Sequence, residues 1–441
     1  MQINSIEFIF EFLPLFLAIY YLIKERYRGL VLLLGSFAFY GFSSGGRPWW
    51  ILLLAGVTLI SYFAVCQLRR KPSGWILGLS LSLLGMLLIF FKLYDGGKHL
   101  PAGMSFFTFQ IAAILIDVYK GRVEAEDSLI RFTNHVVMFP KLLSGPIADP
   151  LDLYRQERNW NSNWDRFTEG MQNLILGLSL KVLLAGRLGG IWSQANLIGF
   201  ISISTAYAWI ALISWAMELY FDFYGYSLMA IGLGQMLGYD LPENFMTPYA
   251  SGSVSEFYRR WHVTLGAWFR NYLYIPLGGN RKGIFRTIIN LGVVWVFTGL
   301  WHGVDGNYLI WAMFLFFLIV NERLWLNRVL NKIGPIRHVY VIFMILFSWI
   351  PFAINDFGSM MDFIAKLFGG GKTINPMDYW ELTNYIPMLL AGVVLATPIP
   401  QTIWKKIRKT YWSFGILLVL FWLVVYYIST AAQDPFLYFK Y

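Results

Sequence analysis

Ile284-Phe-Arg-Thr-Ile-Ile-Asn-Leu-Gly-Val-Val-Trp-Val-Phe-Thr-Gly-Leu-Trp-His302 carries one formal charge, at Arg286, and is otherwise long and apolar enough to cross a bilayer as a helix. It ends on an imidazole. An ionisable side chain closing such a segment is costly, and histidine is the side chain whose unperturbed pKa lies nearest neutrality, so its presence calls for a reason. A second Trp-His dipeptide, Trp261-His262, stands upstream in a chain with only 5 histidines. Two such imidazoles bracket a candidate proton-transfer site. The competing reading is structural, each ring donating a hydrogen bond to a neighbouring carbonyl, and the flanking residues decide between the two.

Outward from that stretch the chain keeps the same character. Of its 441 residues 57% are hydrophobic, 19% aromatic and only 14% charged, and the mean hydropathy of +0.54 is far from that of a soluble globular domain. The reading is an all-α polytopic membrane protein. Cys66 is the single cysteine, which excludes an intramolecular disulfide and a cysteine-based metal site. A net charge of +10 is compatible with nucleic acid, but the Lys and Arg residues fall in short runs beside apolar segments and read as topological instead. The first apolar segment follows no basic region, contains Glu7 and Glu11 and shows no small-residue cleavage site, so it is expected to remain as a helix.

At about 20 residues per crossing, apolar segments centre on residues 7–23, 29–43, 48–66, 74–91 and 104–119, and later on 338–353, 385–400 and 412–430. Lys24, Arg26 and Arg28, then Arg69, Arg70 and Lys71, then Lys120 and Arg122 mark the cytoplasmic side. Arg323, Arg328, Lys332 and Arg337, followed by Lys405, Lys406, Arg408 and Lys409, agree with that orientation and leave the C-terminal tail outside. Residues 120–175 and 236–286 are less regular, mixing charge, Pro and Gly in a way suited to backbone shielded by protein or lining a cavity. Within them Ser253 and Glu256 have capping-box spacing, and Phe257, Trp261, Leu265, Trp268 and Tyr272 recur at helical intervals. One amphipathic, cytoplasmic-side helix is expected there, with His262 beside its apolar stripe.

No internal repeat, Gly-rich nucleotide loop, His-Glu-x-x-His motif or GxSxG elbow is present, which weakens metal and serine-hydrolase readings. His99 falls in a polar outer loop and His338 beside a basic helix start. His135 lies in the irregular centre, where a structural role outweighs a catalytic one.

The run Ser255-Glu-Phe-Tyr-Arg-Arg-Trp-His-Val-Thr-Leu-Gly-Ala-Trp-Phe-Arg-Asn-Tyr-Leu-Tyr-Ile-Pro-Leu-Gly-Gly-Asn-Arg281, with Thr298-Gly-Leu-Trp-His-Gly303, closely resembles the membrane-bound O-acyltransferase family, and within it the bacterial alginate O-acetyltransferase-like branch. Gly103-Met-Ser-Phe-Phe-Thr-Phe109, Phe139-Pro-Lys-Leu-Leu-Ser-Gly-Pro-Ile147, Asp222-Phe-Tyr-Gly-Tyr-Ser-Leu-Met-Ala-Ile-Gly232 and Pro242-Glu-Asn-Phe245 support it in the same order. The resemblance implies a single membrane domain with roughly a dozen transmembrane and re-entrant helices around a central tunnel. It would comprise N-terminal helices over 1–100, a core with both histidine motifs over 101–325, and C-terminal helices with an extracytoplasmic tail over 326–441. Donor would enter from the cytoplasm and acceptor from the opposite face of a bacterial cell membrane. It further implies that His302 is catalytic, with His262 toward the donor. The family commonly has Asp where this chain has Asn271 and Leu228, and Ser where it has Tyr224, so the roles of those carboxylates do not carry over.

Acyl transfer from a thioester to a hydroxyl needs a base near the attacking oxygen and a donor near the carbonyl. His302 is the expected base; His262 would orient the donor or stabilise the oxyanion. Asn290, Thr298 and Trp301 are further hydrogen-bond candidates, with helix-interface packing the stronger alternative. Arg259, Arg260, Arg270, Arg281, Lys282 and Arg286 form a basic set suited to the phosphates of acetyl-CoA, to a phosphopantetheine carrier protein, or to anionic membrane lipids. No permanently bound cofactor, metal or nucleic acid is expected. The tail Asp434-Pro-Phe-Leu-Tyr-Phe-Lys-Tyr441 resembles a C-terminal motif of bacterial relatives in which a tyrosine is implicated as an acyl relay, which makes Tyr438 the relay candidate and an aromatic interface anchor the alternative. The leading expectation is an acetyltransferase acting on an exported polysaccharide with an extracytoplasmic partner protein. D-alanyl transfer to teichoic acid from a carrier protein, a non-enzymatic transporter and an inactive scaffold stand as alternatives.

Overall fold

Every regular element among the described residues is a helix, and the one extended feature is an isolated antiparallel bridge between Phe245 and Trp261. The computed structural model describes residues 1–45, 47–94, 99–124, 128–158, 162–370 and 376–430. Tyr438 and the rest of the tail lie outside them. The chain divides into two units: among the described residues, Met1–Leu178, Tyr226–Glu243 and 425–430 form the first, and Ser179–Gly225 with Asn244–Val424 the second.

The first unit contains α1 (Leu13–Leu22), α2 (Glu25–Ser43), α3 (Trp49–Arg70), α4 (Gly74–Leu93), α5 (Met104–Tyr119), α6 (Leu129–Val137), α7 (Phe139–Leu142), α8 (Pro150–Arg158) and α9 (Trp164–Ser179). Only 6% of the apolar window of α4 and 28% of that of α3 is buried. Apolar surface left outward on that scale is what lipid requires and water does not tolerate. The irregular stretch expected after α5 is instead the best-buried part of the unit, with every residue from 132 to 148 inside. It folds back as a hairpin: Asn134 Nδ2 donates to the Gly29 carbonyl at 2.8 Å, the Phe139 N–H to Ser36 Oγ at 3.1 Å, and Gln110 Nε2 to the Ala148 carbonyl at 3.0 Å. The polar backbone of the hairpin is thus satisfied by protein. Gly103, with φ 72°, meets its tip, and a Cβ there would stand 2.3 Å from the Leu142 carbonyl oxygen.

α10 (Gly186–Ile198) continues from α9 through a π-helical turn, and α11 (Thr205–Met236) follows. The second unit then holds α12 (Val254–Arg260), α13 (Val263–Phe269), α14 (Gly283–His302), α15 (Gly306–Asn321), α16 (Asn327–Lys332), α17 (Ile336–Ala353), α18 (Phe357–Leu367), α19 (Pro376–Leu395), α20 (Pro398–Ile407) and, as far as Val424, α21 (Tyr411–Thr430). Among the described residues seven helical stretches are long and apolar enough to span a membrane, or up to 8 if the bent pair α19–α20 is one crossing. The chain is therefore an all-α, multi-pass integral membrane protein.

Three expectations are corrected. Residues 385–400 do not form one straight span: the path bends by 74° before α20, where Thr397 caps the new helix and Pro398 cannot continue the old one. The apolar helix Trp164–Ile198 and the 32-residue α11 were not among the segments read from the sequence. The third correction concerns the site itself: the amphipathic helix expected through Trp261 is broken there into α12 and α13.

Candidate functional site

Ser253 begins α12 as expected, its Oγ accepting the Glu256 N–H at 3.0 Å while Glu256 Oε2 accepts the Gly252 N–H at 2.9 Å. A second acid, unforeseen, completes the start of this helix. Glu322, 1% exposed in the π-helical turn after α15, accepts from the Val254 N–H at 2.6 Å, the Ser255 N–H at 2.9 Å and the Ser255 hydroxyl at 2.7 Å. Three otherwise orphaned donors at a helix start are held by one carboxylate.

α12 ends at Trp261 because the chain is claimed there by another segment. The Met246 N–H donates to the Arg260 carbonyl and the Val263 N–H to the Asn244 carbonyl, both at 3.0 Å, so residues 244–246 and 260–263 run antiparallel across the break. Trp261 packs among Phe245, Phe257, Tyr220 and Trp349. His262 then takes φ 47°, ψ 52°, the left-handed region that histidine enters more readily than most side chains, and α13 starts from it.

The His262 ring is 4% exposed. Its Nδ1 lies 3.0 Å from Asn244 Oδ1, and the same oxygen accepts from the Thr264 N–H at 3.3 Å and the Thr264 hydroxyl at 2.9 Å. A backbone N–H can only donate, so the atom of Asn244 that faces Thr264 is the amide oxygen and not its nitrogen. An oxygen accepts; His262 Nδ1 must therefore carry the proton, and Nε2 presents its lone pair. Burial pushes the imidazole down to about 3, which keeps it neutral at physiological pH.

His302 is placed differently. It closes α14 as a half-buried residue, its ring 4.9 Å from Trp311 and 5.1 Å from Phe352, both edge-on. Gly303 is required after it, because a Cβ would fall 2.3 Å from the Tyr308 ring that flanks the imidazole. Trp301 joins the two histidines, with its ring centroid 6.1 Å from that of His262 and 4.6 Å from that of His302. The two motifs thus converge on one aromatic-walled site.

Two of the other candidates are committed elsewhere. Asn290 Nδ2 donates to the Gly279 carbonyl at 2.9 Å and the Leu277 carbonyl at 3.3 Å, tying down the Gly-Gly turn. Thr298 Oγ1 donates to Val294 O at 2.8 Å within its own helix. Of the basic set, Arg260 pairs with Glu256 at 2.5 Å, whereas Arg259, Arg270, Arg281, Lys282 and Arg286 are exposed. Asn244 and Glu322 were missed. Asn244 sits in the Pro242–Phe245 stretch, but its partner lies 18 residues away and only the fold brings them together.

Known proteins are similar to this chain, one of them along its whole length. The model of the membrane-bound O-acyltransferase family matches residues 74–357. The probable alginate O-acetylase AlgI of Pseudomonas putida is 32% identical over 100% of both chains. The peptidoglycan O-acetyltransferase of Helicobacter pylori is 31% identical over 70% of this chain and 68% of its own. The teichoic acid D-alanyltransferase of Bacillus subtilis is 26% identical over 48% of this chain and 56% of its own. With two Trp-His motifs meeting on a helical membrane scaffold, the chain belongs to the membrane-bound O-acyltransferase family and is a multi-pass membrane O-acyltransferase.

Proposed function

We propose that the chain transfers an acetyl group from cytoplasmic acetyl-CoA to hydroxyls of an exported or cell-wall polysaccharide. What carries this reading is the meeting of His262 and His302 across Trp301, together with end-to-end similarity to a probable alginate O-acetylase. His302, the more accessible ring, takes the proton from the attacking hydroxyl as its oxygen bonds to the thioester carbonyl carbon. The carbon–sulfur bond then breaks, and coenzyme A leaves as its thiol with the proton from His302. His262 has its proton turned toward Asn244, so it suits accepting an N–H of the donor's pantetheine arm better than donating to an oxyanion. The exposed Arg259, Arg270 and Arg281 offer forks to the donor's phosphates, with Arg260 braced by Glu256. In the relayed form, Tyr438 is acetylated on its phenolic oxygen first and an extracytoplasmic partner passes the group to the polymer.

The test is purified protein with radiolabelled acetyl-CoA, comparing wild type, His302→Ala and Tyr438→Phe for label on protein and on added polysaccharide. The expected result is transfer by wild type, loss in His302→Ala, and loss of protein-bound label in Tyr438→Phe. If wild type leaves acetyl-CoA intact but accepts D-alanine from a carrier protein, the similarity to the teichoic acid D-alanyltransferase becomes the guide instead.

A further inference from the structure

The Phe139–Ile147 stretch has no part in the chemistry above, yet it holds a buried lysine. Lys141, at the tip of the hairpin, is 4% exposed, and its ammonium donates to the backbone carbonyl of His135. Among the described residues no carboxylate pairs with it. The contrast within the chain is direct: Lys181, equally buried, is matched by Asp222. Two acids of the same unit are already engaged, since Arg122 holds Asp149 at 2.6 Å and Asp117 at 3.4 Å. His135 offers no negative charge, and burial together with the charges of Lys141 and Arg131 holds its imidazole well below the usual range.

Lys141 also opens onto a small cavity. Phe106, Phe107, Val136, Ile147, Gln110 and the Gly145–Pro146 backbone surround it, leaving room for a water-sized group. Next to Gly145, the Ser144 hydroxyl is buried with no hydrogen-bond partner. The buried ammonium has N–H bonds beyond the one to His135, no carboxylate among the described residues lines the cavity, and the Ser144 hydroxyl stands unbonded beside the Gly145 wall. A water molecule fills such a space but leaves the charge uncompensated.

We infer that the pocket over Lys141 binds a small monovalent anion, a halide or the head of a short carboxylate such as acetate. Occupation neutralises the one buried ammonium of the hairpin and ties Lys141 to the returning segment 144–147. Burial draws the Lys141 ammonium down to about 7, and an anion beside it raises that value again.

The test uses the purified full chain in detergent, unfolded thermally in sodium gluconate, whose anion is too bulky for the pocket, and in chloride, bromide or acetate at matched ionic strength. Wild type should show a saturable rise in Tm with at least one small anion, as mass action demands of a ligand that binds only the folded state. That rise should vanish in Lys141→Met and shrink in Ser144→Ala. A response to halides alone or to acetate alone identifies the source. Identical Tm values in all four salts, or an undiminished response in Lys141→Met, overturn the proposal. Should Lys141→Met fail to fold, equilibrium binding of radiolabelled chloride and acetate to wild type and Ser144→Ala decides: displaceable label weakened by the variant supports the site, and its absence removes it. Acyl transfer is not measured, so this outcome is separate from that of the enzyme reading.

Discussion

Trp261-His262 and Trp301-His302 are the same dipeptide in two opposite settings. The first sits at a break between short helices, in left-handed backbone, with its ring buried and one nitrogen committed to Asn244. The second is the regular end of a 20-residue helix, half-buried against the edges of Trp311 and Phe352. Backbone and partner, not the motif, decide what each imidazole offers: a fixed lone pair at His262, an accessible ring at His302. Histidines that look interchangeable in sequence are thus expected to fail in different ways when replaced.

That difference gives the largest predicted effect. His302→Ala should lower kcat by about 100-fold to 10,000-fold, the usual worth of a positioned general base. His262→Asn keeps a side chain that tolerates φ 47° and should act mainly through KM, lowering kcat/KM by about 10-fold to 100-fold with a smaller change in kcat. Steady-state kinetics on both variants checks the split; equal losses in kcat would erase the distinction drawn between the two rings. A pH scan of stability adds a sign. The folded imidazole of His262 lies at about 3, below its value in an unfolded chain, so its contribution is complete above the unfolded pKa and is lost as pH falls toward 3. His262→Asn should flatten that acid limb.

Asn244 sharpens the comparison at the next level. Asn244→Ala leaves a buried His262 N–H and the Thr264 donors without their shared acceptor, a loss of about 1–3 kcal/mol for an unmet buried group, which corresponds to about 10-fold to 100-fold in activity if it falls on the productive tautomer. Nitrogen NMR of labelled histidine reads the tautomer without reference to turnover. Protonated Nδ1 in wild type and a tautomer mixture in Asn244→Ala are expected. A ring unchanged by the substitution would mean that Asn244 holds Thr264 alone.

How much of this could be read beforehand follows the range of the interactions. α3, α4, α14 and α21 announce themselves because lipid-facing helices need uninterrupted apolar runs. Ser253 was legible because a cap is local. α11 was not, since a helix enclosed by protein can carry Glu218 and Asp222 and still be fully regular. The bend before α20 had its signal in Pro398 and Pro400, overridden by counting apolar residues alone. The break at Trp261 had none: Phe257, Trp261 and Leu265 keep helical spacing straight through it, and the pairing with residues 244–246 that imposes it is a tertiary event. Both histidines of the site were visible as residues, while the Asn244 lock was visible only as a fold.

The smallest predicted effect tests whether the His262 elbow depends on remote support in a way that the His302 helix end does not. Glu322 reaches the start of α12 from 67 and 68 residues away and uses both carboxylate oxygens, one on Val254 and the other on Ser255. Glu322→Gln keeps the length and one accepting oxygen but replaces the other acceptor by an N–H donor and removes the charge that favours a helix start. The expected cost is about 1–2 kcal/mol, read as a Tm lower by a few degrees. The loosening should be confined to α12 and α13, so hydrogen exchange should speed up over residues 254–269 and remain unchanged along α14. Exchange accelerated equally in both segments would show that the elbow and the helix end form one cooperative block, and the contrast between the two histidines would then be one of chemistry alone.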